Sequence, residues 1–137
     1  MITQTQTTSF KTELYQGVHN LIIDQLYMAL YIADANLGAA TTEYTSVGEI
    51  SDAGYTAGGV LLTNVTVNSY DYTAYVSFDN PSWVGAFTVR GALIYNASKS
   101  NRSIAVLNFG ADKISTNTFT VTLPANTADS ALIRSSN

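Results

Sequence analysis

One imidazole and ten carboxylates are the residues of this sequence that could carry polar chemistry. His19 is the only imidazole, and a Ser–His–Asp triad needs such a ring oriented by a carboxylate and pointed at a nucleophile. A zinc site needs two or three further nitrogen or sulfur ligands, and the sequence has neither a second His nor any Cys. Because His19 lies where a predicted helix would end, we interpret it as a structural residue near that terminus.

The carboxylates show no catalytic or metal-binding spacing. A glycosidase needs two of them converging across a cleft, but most stand in predicted loops or at strand ends, where Asp commonly serves turns. Glu49 and Asp52 share a loop and Asp79-Asn80 is a second oxygen-rich corner, so a calcium ion is an alternative, without EF-hand spacing. The glycines form no phosphate-binding pattern. We predict no enzymatic activity, no catalytic residue, no cofactor and no metal.

Aromatic side chains are the other residues that could recognise a ligand. Nine Tyr and one Trp could form a sugar-binding platform, or they could pack in the core and anchor protein interfaces. We favour packing and interfaces, with Trp83 as a plug between two sheets. A carbohydrate-binding module is the alternative from another class, and it requires Trp83 to be exposed beside two Tyr.

Composition excludes several classes of protein. The net charge is −4 and the six basic residues are scattered, whereas nucleic-acid binding normally shows a basic stripe. No stretch of about 20 apolar residues predicts a membrane span, and the first residues do not resemble a signal peptide. The charged fraction of 12% is about half the usual value. Such a surface is weakly protected against association, as suits a protein that contacts neighbours.

The periodicity of apolar residues predicts one helix followed by strands. Ser9 as N-cap, with Phe10, Leu14 and Val18 at helical spacing, predicts a helix over 9–20. About seven strands follow, separated by turn signals, over 25–33, 60–67, 72–78, 87–95, 102–109, 119–123 and 131–134, with a short strand or bend at Trp83. This pattern predicts a mainly β fold, an antiparallel β-sandwich of jelly-roll or Ig-like topology with one short N-terminal helix.

The chain length fits one domain with a self-supporting core. Residues 1–8 alternate Thr and Gln, and we predict an extended N-terminal arm that is ordered only when a partner holds it. Residues 9–137 then form the single β-sandwich domain. Gly91 lies inside a predicted strand, which indicates a bulge or a close backbone approach.

Several segments in this order resemble a family of short tailed-bacteriophage virion structural proteins. They are Ser9-Phe-Lys, Glu13-Leu, Gly17-Val-His19, Asp24, Ala29-Leu-Tyr31, Gly54-Tyr-Thr-Ala-Gly-Gly59, Trp83, Arg90-Gly-Ala-Leu-Ile-Tyr-Asn96, Phe109-Gly110 and Ala131-Leu-Ile-Arg134. The likeness spans nearly the whole chain, and its motifs are structural. It implies a capsid or tail component without catalytic residues.

The resemblance and the low-charge strands together predict a non-enzymatic virion structural protein. Within that class we favour a capsid decoration protein that contacts the major capsid protein and neighbouring copies, with a neck, tail or fibre-attachment component as the alternative. Its partners would be virion proteins and further copies, without nucleic acid or membrane, and its location the virion, assembled in the host cytoplasm. The interface residues expected are Thr3, Gln4, Thr5, Gln6, Lys99, Asn101, Arg102, Ser135 and Asn137.

Overall fold

Ten strands and one α-helix are formed by the residues that the computed structural model describes, 1–125 and 127–136. The helix α1 spans Thr8–Tyr15. The strands are β1 Thr5–Gln6, β2 Leu26–Tyr31, β3 Val60–Leu61, β4 Thr66–Tyr70, β5 Thr73–Ser77, β6 Ser82–Val84, β7 Thr88–Asn96, β8 Arg102–Ile114, β9 Thr118–Thr120 and β10 Ile133–Ser136.

The strands form three antiparallel sheets arranged like a sandwich. The five-stranded sheet has the order β1-β8-β7-β2-β3, and the smaller sheets have the orders β10-β5-β4 and β6-β9. The smaller sheets contribute Val76, Ile133, Trp83 and Phe119 to the core that also holds residues of β2, β7 and β8. The prediction of a mainly β, antiparallel, sandwich-like fold with one short helix is confirmed.

Strand β2 is buried on both faces because it lies inside the large sheet. Leu26, Met28 and Leu30 enter the main core, while Ala29 and Tyr31 enter a second cluster on the opposite face. The alternation predicted from the sequence therefore separates two apolar cores. The strand ends at Tyr31. Ile32, whose position in the alternation matches that of Leu26, Met28 and Leu30, is instead 41% exposed.

The hairpin of β7 and β8 follows the prediction and extends beyond it, since β8 continues to Ile114. The register shifts between Val89 and Gly91, and a Cβ on Gly91 would lie 2.5 Å from the carbonyl oxygen of Leu107. Both readings of Gly91, a bulge and a close backbone approach, are confirmed.

The predicted helix and the strand predicted over 60–67 also differ from the structure. The N-cap is Thr7 rather than Ser9, since the Thr7 hydroxyl accepts from the Phe10 amide at 3.3 Å, and Gly17 at φ +73° follows the helix, which ends at Tyr15. The strand predicted over 60–67 is two strands, because Asn64 has φ +54° and donates its amide to Asp79. A backbone in the left-handed region cannot continue a strand.

Residues 1–7 are extended and Thr8 begins α1, and contacts within the same chain hold this extended segment. Thr5 pairs with Val106 in the large sheet, and the Thr7 amide donates to the Ile104 carbonyl at 3.0 Å. Ile2 is 5% exposed and packs in the second cluster. The expectation that a partner is needed to order this segment is not met, because Ile2 supplies an apolar anchor that the Thr/Gln alternation concealed.

We expect Ile2→Ala to lower the free energy of unfolding by about 2–4 kcal/mol, because it removes buried methyl groups and leaves a cavity. Thr3→Ala, at an exposed neighbour, is the matched control and leaves stability nearly unchanged. Urea unfolding followed by circular dichroism measures both. Equal stabilities would show that residues 1–8 add nothing to the fold.

Candidate protein-binding surface

His19 is fully engaged inside the protein. Its Nε2 lies 2.8 Å from Glu13 Oε1, its Nδ1 lies 2.9 Å from Asn96 Nδ2, and the side chain is 0% exposed. The ring also meets Phe10 edge-on, at 5.1 Å between centroids. Both ring nitrogens are therefore occupied by groups other than a nucleophile. His19 lies four residues beyond the end of α1, so it does not cap that helix as expected but binds a carboxylate within it.

The orientation of Asn96 fixes the role of each His19 nitrogen. Asn96 Oδ1 accepts from the Ser98 amide at 3.0 Å, so its Nδ2 faces His19 and donates to Nδ1. His19 Nε2 then donates to Glu13. The same Asn96 Nδ2 donates its second hydrogen to Asp24 Oδ2 at 2.7 Å.

Two ion pairs extend this arrangement at its ends. Arg102 Nη1 lies 2.7 Å from Glu13 Oε2, and Lys99 Nζ lies 2.8 and 2.9 Å from the two Asp24 oxygens. We call the resulting series the polar chain; its members in order are Arg102, Glu13, His19, Asn96, Asp24 and Lys99. It ties α1 and the segment 16–25 to the β7–β8 hairpin.

The polar chain lowers the pKa of both of its carboxyl groups. Burial alone would raise the pKa of Glu13, but hydrogen bonds from His19 and Arg102 outweigh burial and hold it below its ordinary 4.5. Burial opposes ionisation of Asp24 as well, and hydrogen bonds from Lys99, Asn96 and the Asn20 amide hold its pKa below 3.8. Since both values are lowered by folding, the stabilisation is present above the ordinary values and is lost as pH falls through the folded ones.

We expect Glu13→Gln to lower the free energy of unfolding at pH 7 by about 1–3 kcal/mol, since it leaves a buried hydrogen-bonding group poorly matched. The variant should also lose less stability than the parent protein between about pH 5 and pH 3. Glu43→Gln, at an exposed position, is the matched control and keeps the parent profile. Unfolding measured across this pH range gives the comparison, and parallel profiles for all three proteins would contradict the role assigned to Glu13.

A second, partly buried polar cluster surrounds Glu49. Its carboxylate accepts from the Tyr44 hydroxyl at 2.6 Å, the Tyr55 hydroxyl at 2.5 Å and the Gly58 amide at 2.8 Å. Burial, reinforced by the charge of Glu49, raises the pKa of Tyr95 to about 12. The carboxylate of Glu49 is thus surrounded by hydrogen-bond donors of the same chain, and these donors take the place that a bound cation would otherwise have. Among residues 1–125 and 127–136, no group of three or more His, Asp or Glu is arranged to hold a metal.

The aromatic residues do not form the sugar platform that the alternative requires. Trp83 is 4% exposed and packs against Phe119, at 6.0 Å between ring centroids, which confirms it as a core residue. The most exposed tyrosines are Tyr15, Tyr72 and Tyr70, at 93%, 78% and 73%. None of them lies beside an exposed Trp, so this requirement of a carbohydrate-binding module fails.

An apolar groove of about 430 Å³ separates α1 and its following turn from the sheet of β4, β5 and β10. One wall is formed by Phe10, Leu14, Leu21 and Ile22, and the facing wall by Val67, Val76 and Ile133. The polar chain lies behind the first wall, since His19 itself lines the groove. Arg134 is the one lining side chain with a permanent charge.

Exposed apolar side chains lie on this wall of the groove and next to it in the sequence. Leu14 and Ile22 line the groove and are 41% and 64% exposed, and their chain neighbours Tyr15 and Ile23 are 93% and 74% exposed; we call these four residues the apolar rim. Exposed apolar patches mark sites of interaction with other proteins. We therefore take the groove and the apolar rim as the candidate functional site.

The interface residues predicted from the sequence are not gathered in one place. Gln6 and Ser135 both line the groove, and the Gln6 amide donates to the Arg134 carbonyl at 2.8 Å. Lys99 and Arg102 belong to the polar chain. The others make local contacts: Thr3 donates its amide to Leu37, Gln4 accepts from the Asn108 amide, Thr5 pairs in β1, and the Asn101 carbonyl accepts from Tyr44. Asn137 lies outside the described residues.

Sequence reasoning missed the apolar rim. The signal was present in Leu21-Ile22-Ile23, three consecutive apolar residues between Asn20 and Asp24. A turn cannot bury three neighbouring side chains at once, so at least one had to face solvent. Leu14 and Tyr15 carried no comparable signal, because a short amphipathic helix ordinarily buries its larger residues.

Comparison of the chain with protein-family models, with curated proteins and with solved structures finds no match. No helix within residues 1–125 and 127–136 has the length and apolar character to cross a membrane.

Proposed function

We propose that this protein is a non-enzymatic structural component of a tailed-bacteriophage particle. In the form we favour, it is a capsid decoration protein that contacts the major capsid protein and neighbouring copies. The observation that carries the proposal is the groove with its apolar rim, a largely apolar surface with Arg134 as its one charged lining side chain, left open on an otherwise well-packed small domain. The resemblance in sequence to virion structural proteins is the reason for proposing a phage particle as the assembly that this surface joins.

The internal use of polar groups supports a structural role. His19, Glu13 and Glu49 have their hydrogen-bonding atoms taken up by other groups of the same chain. Catalysis by such groups needs a free proton acceptor within reach of a substrate. These side chains instead fix the shape of the molecule, and the surface offered to a partner is largely apolar.

The fold also suits a particle component. The described strands close around two apolar clusters, and the sequence contains no Cys, so stability is independent of redox state. A protein displayed outside the cell gains from that independence. A neck, tail or fibre-attachment component would use the same surface against a different partner.

We expect Ile22→Glu to reduce incorporation of the protein into particles at least about tenfold, because it places a charge on the wall of the apolar groove. Ile114→Glu is the matched control, since Ile114 is 74% exposed and lies outside the groove. Quantitative mass spectrometry of purified particles, assembled from a phage genome carrying each variant, gives the measurement. Circular dichroism of the purified variants establishes that both fold.

A photo-cross-linking residue at position 23 then identifies the neighbour in the particle. Linkage to the major capsid protein or to another copy supports decoration, and linkage to a tail or neck protein supports the alternative. If purified particles contain none of the parent protein, the proposal is wrong.

A further inference from the structure

The edge strand β4 has an open side. In the sheet order β10-β5-β4 it pairs with β5 alone, and all five of its residues are exposed. Tyr70 pairs with Thr73 across a two-residue turn, so Tyr70, Asn68 and Thr66 direct their backbone groups toward β5. The backbone N–H and C=O of Val67 and Ser69 therefore point away from the sheet.

This edge lacks the features that usually prevent strand pairing. Charged side chains, Pro, bulges, a very short strand or a covering segment normally protect an edge. Strand β4 has no charged residue and no Pro, its register with β5 has no shift, and no described residue pairs with its outer side. The other edge strands in the described part of the chain are shorter, and the longest of them, β10, carries Arg134 and receives a hydrogen bond from Gln6.

We infer that β4 pairs antiparallel with β4 of a second copy of this chain, about a two-fold axis at Asn68. With that axis, Val67 of one copy faces Ser69 of the other, and each of these residues has outward backbone groups. Four backbone hydrogen bonds form, two on each side of the axis. Thr66 faces Tyr70 of the other copy, and the two Asn68 side chains face each other.

The register favours a second copy as the occupant, because it keeps acidic groups apart. The chain has a net charge of −4, so self-association is opposed wherever acidic groups meet. In this register every residue of β4 meets an uncharged residue of β4, and Asp71 lies beyond the paired segment. An axis at Ser69 would instead bring Asp71 opposite Val67, and an axis at Val67 would extend pairing toward Asn64, where the strand ends.

The inference rests on the proposed assembly function and specifies one of its contacts. Val67 lies on the same face of the sheet as the groove, so pairing at β4 leaves the facing wall of α1 and the apolar rim free. A dimer formed through β4 can thus still present its grooves to a different virion protein.

The test measures the dimer dissociation constant of the purified full-length protein by sedimentation velocity over a concentration series. Asn68→Asp places two carboxylates against each other on the axis, and we expect the dissociation constant to rise at least about tenfold. Asn68→Lys acts in the same way. An equimolar mixture of the two variants should recover a heterodimer, because opposite charges then meet at the axis.

Ser69→Pro gives an independent test through the backbone. It removes an N–H that points outward, so the hairpin with β5 keeps its hydrogen bonds while the pairing between copies loses two of its four. A parent protein that stays monomeric throughout the concentration series overturns the inference. So does a dimer that is unchanged in both Asn68→Asp and Ser69→Pro. If these variants enter particles at the level of the parent protein, the proposed function stands although the β4 contact is not needed for it. If the parent protein does not enter particles, the proposed function fails, and the dimer measurement still tests the pairing of β4.

Discussion

The hydrogen bonds of His19 determine the shape of the candidate surface. The imidazole donates to Glu13 on α1 and accepts from Asn96 at the end of β7, so it joins the helix to the large sheet. Asp24 and Lys99 then fix the far end of the segment 16–25. That segment carries Leu21 and Ile22, which form one wall of the groove. An apolar surface open to water would tend to collapse, and the buried polar chain prevents this by fixing the backbone behind it.

The molecule binds several of its carboxylates internally and leaves apolar side chains exposed to solvent. The carboxylates of Glu13, Asp24 and Glu49 are bound within the chain, while several Ile, Val and Tyr side chains face solvent. In most small domains Asp, Glu, Lys and Arg lie on the surface, and a charged side chain is buried only when it is paired. The arrangement is costly for a protein that acts alone, since apolar patches promote association. It is suited to one that functions in contact with neighbours, and both the groove and the open edge of β4 follow this pattern.

The sequence predicted the features that depend on local periodicity. The alternation in β2, the strands of the β7–β8 hairpin and the buried Trp83 all follow from side-chain type and spacing. The features that depend on contacts between distant residues were not predictable. Ile2 is an anchor because it meets a cluster that includes Tyr31 and Leu93, and the polar chain joins positions 13, 19 and 96. The strand break at Asn64 could not be predicted from the sequence, because the residues on both sides of Asn64 have a high propensity for strands.

The central claim is that the groove and the apolar rim are covered when the protein takes its place in a particle. Hydroxyl-radical footprinting compares the reactivity of Tyr15 in the purified protein and in intact particles, with Ile114, which is 74% exposed and does not line the groove, as the reference. The account predicts that Tyr15 becomes strongly protected relative to Ile114 on assembly. Equal reactivity of Tyr15 in the free protein and in the particle would contradict it.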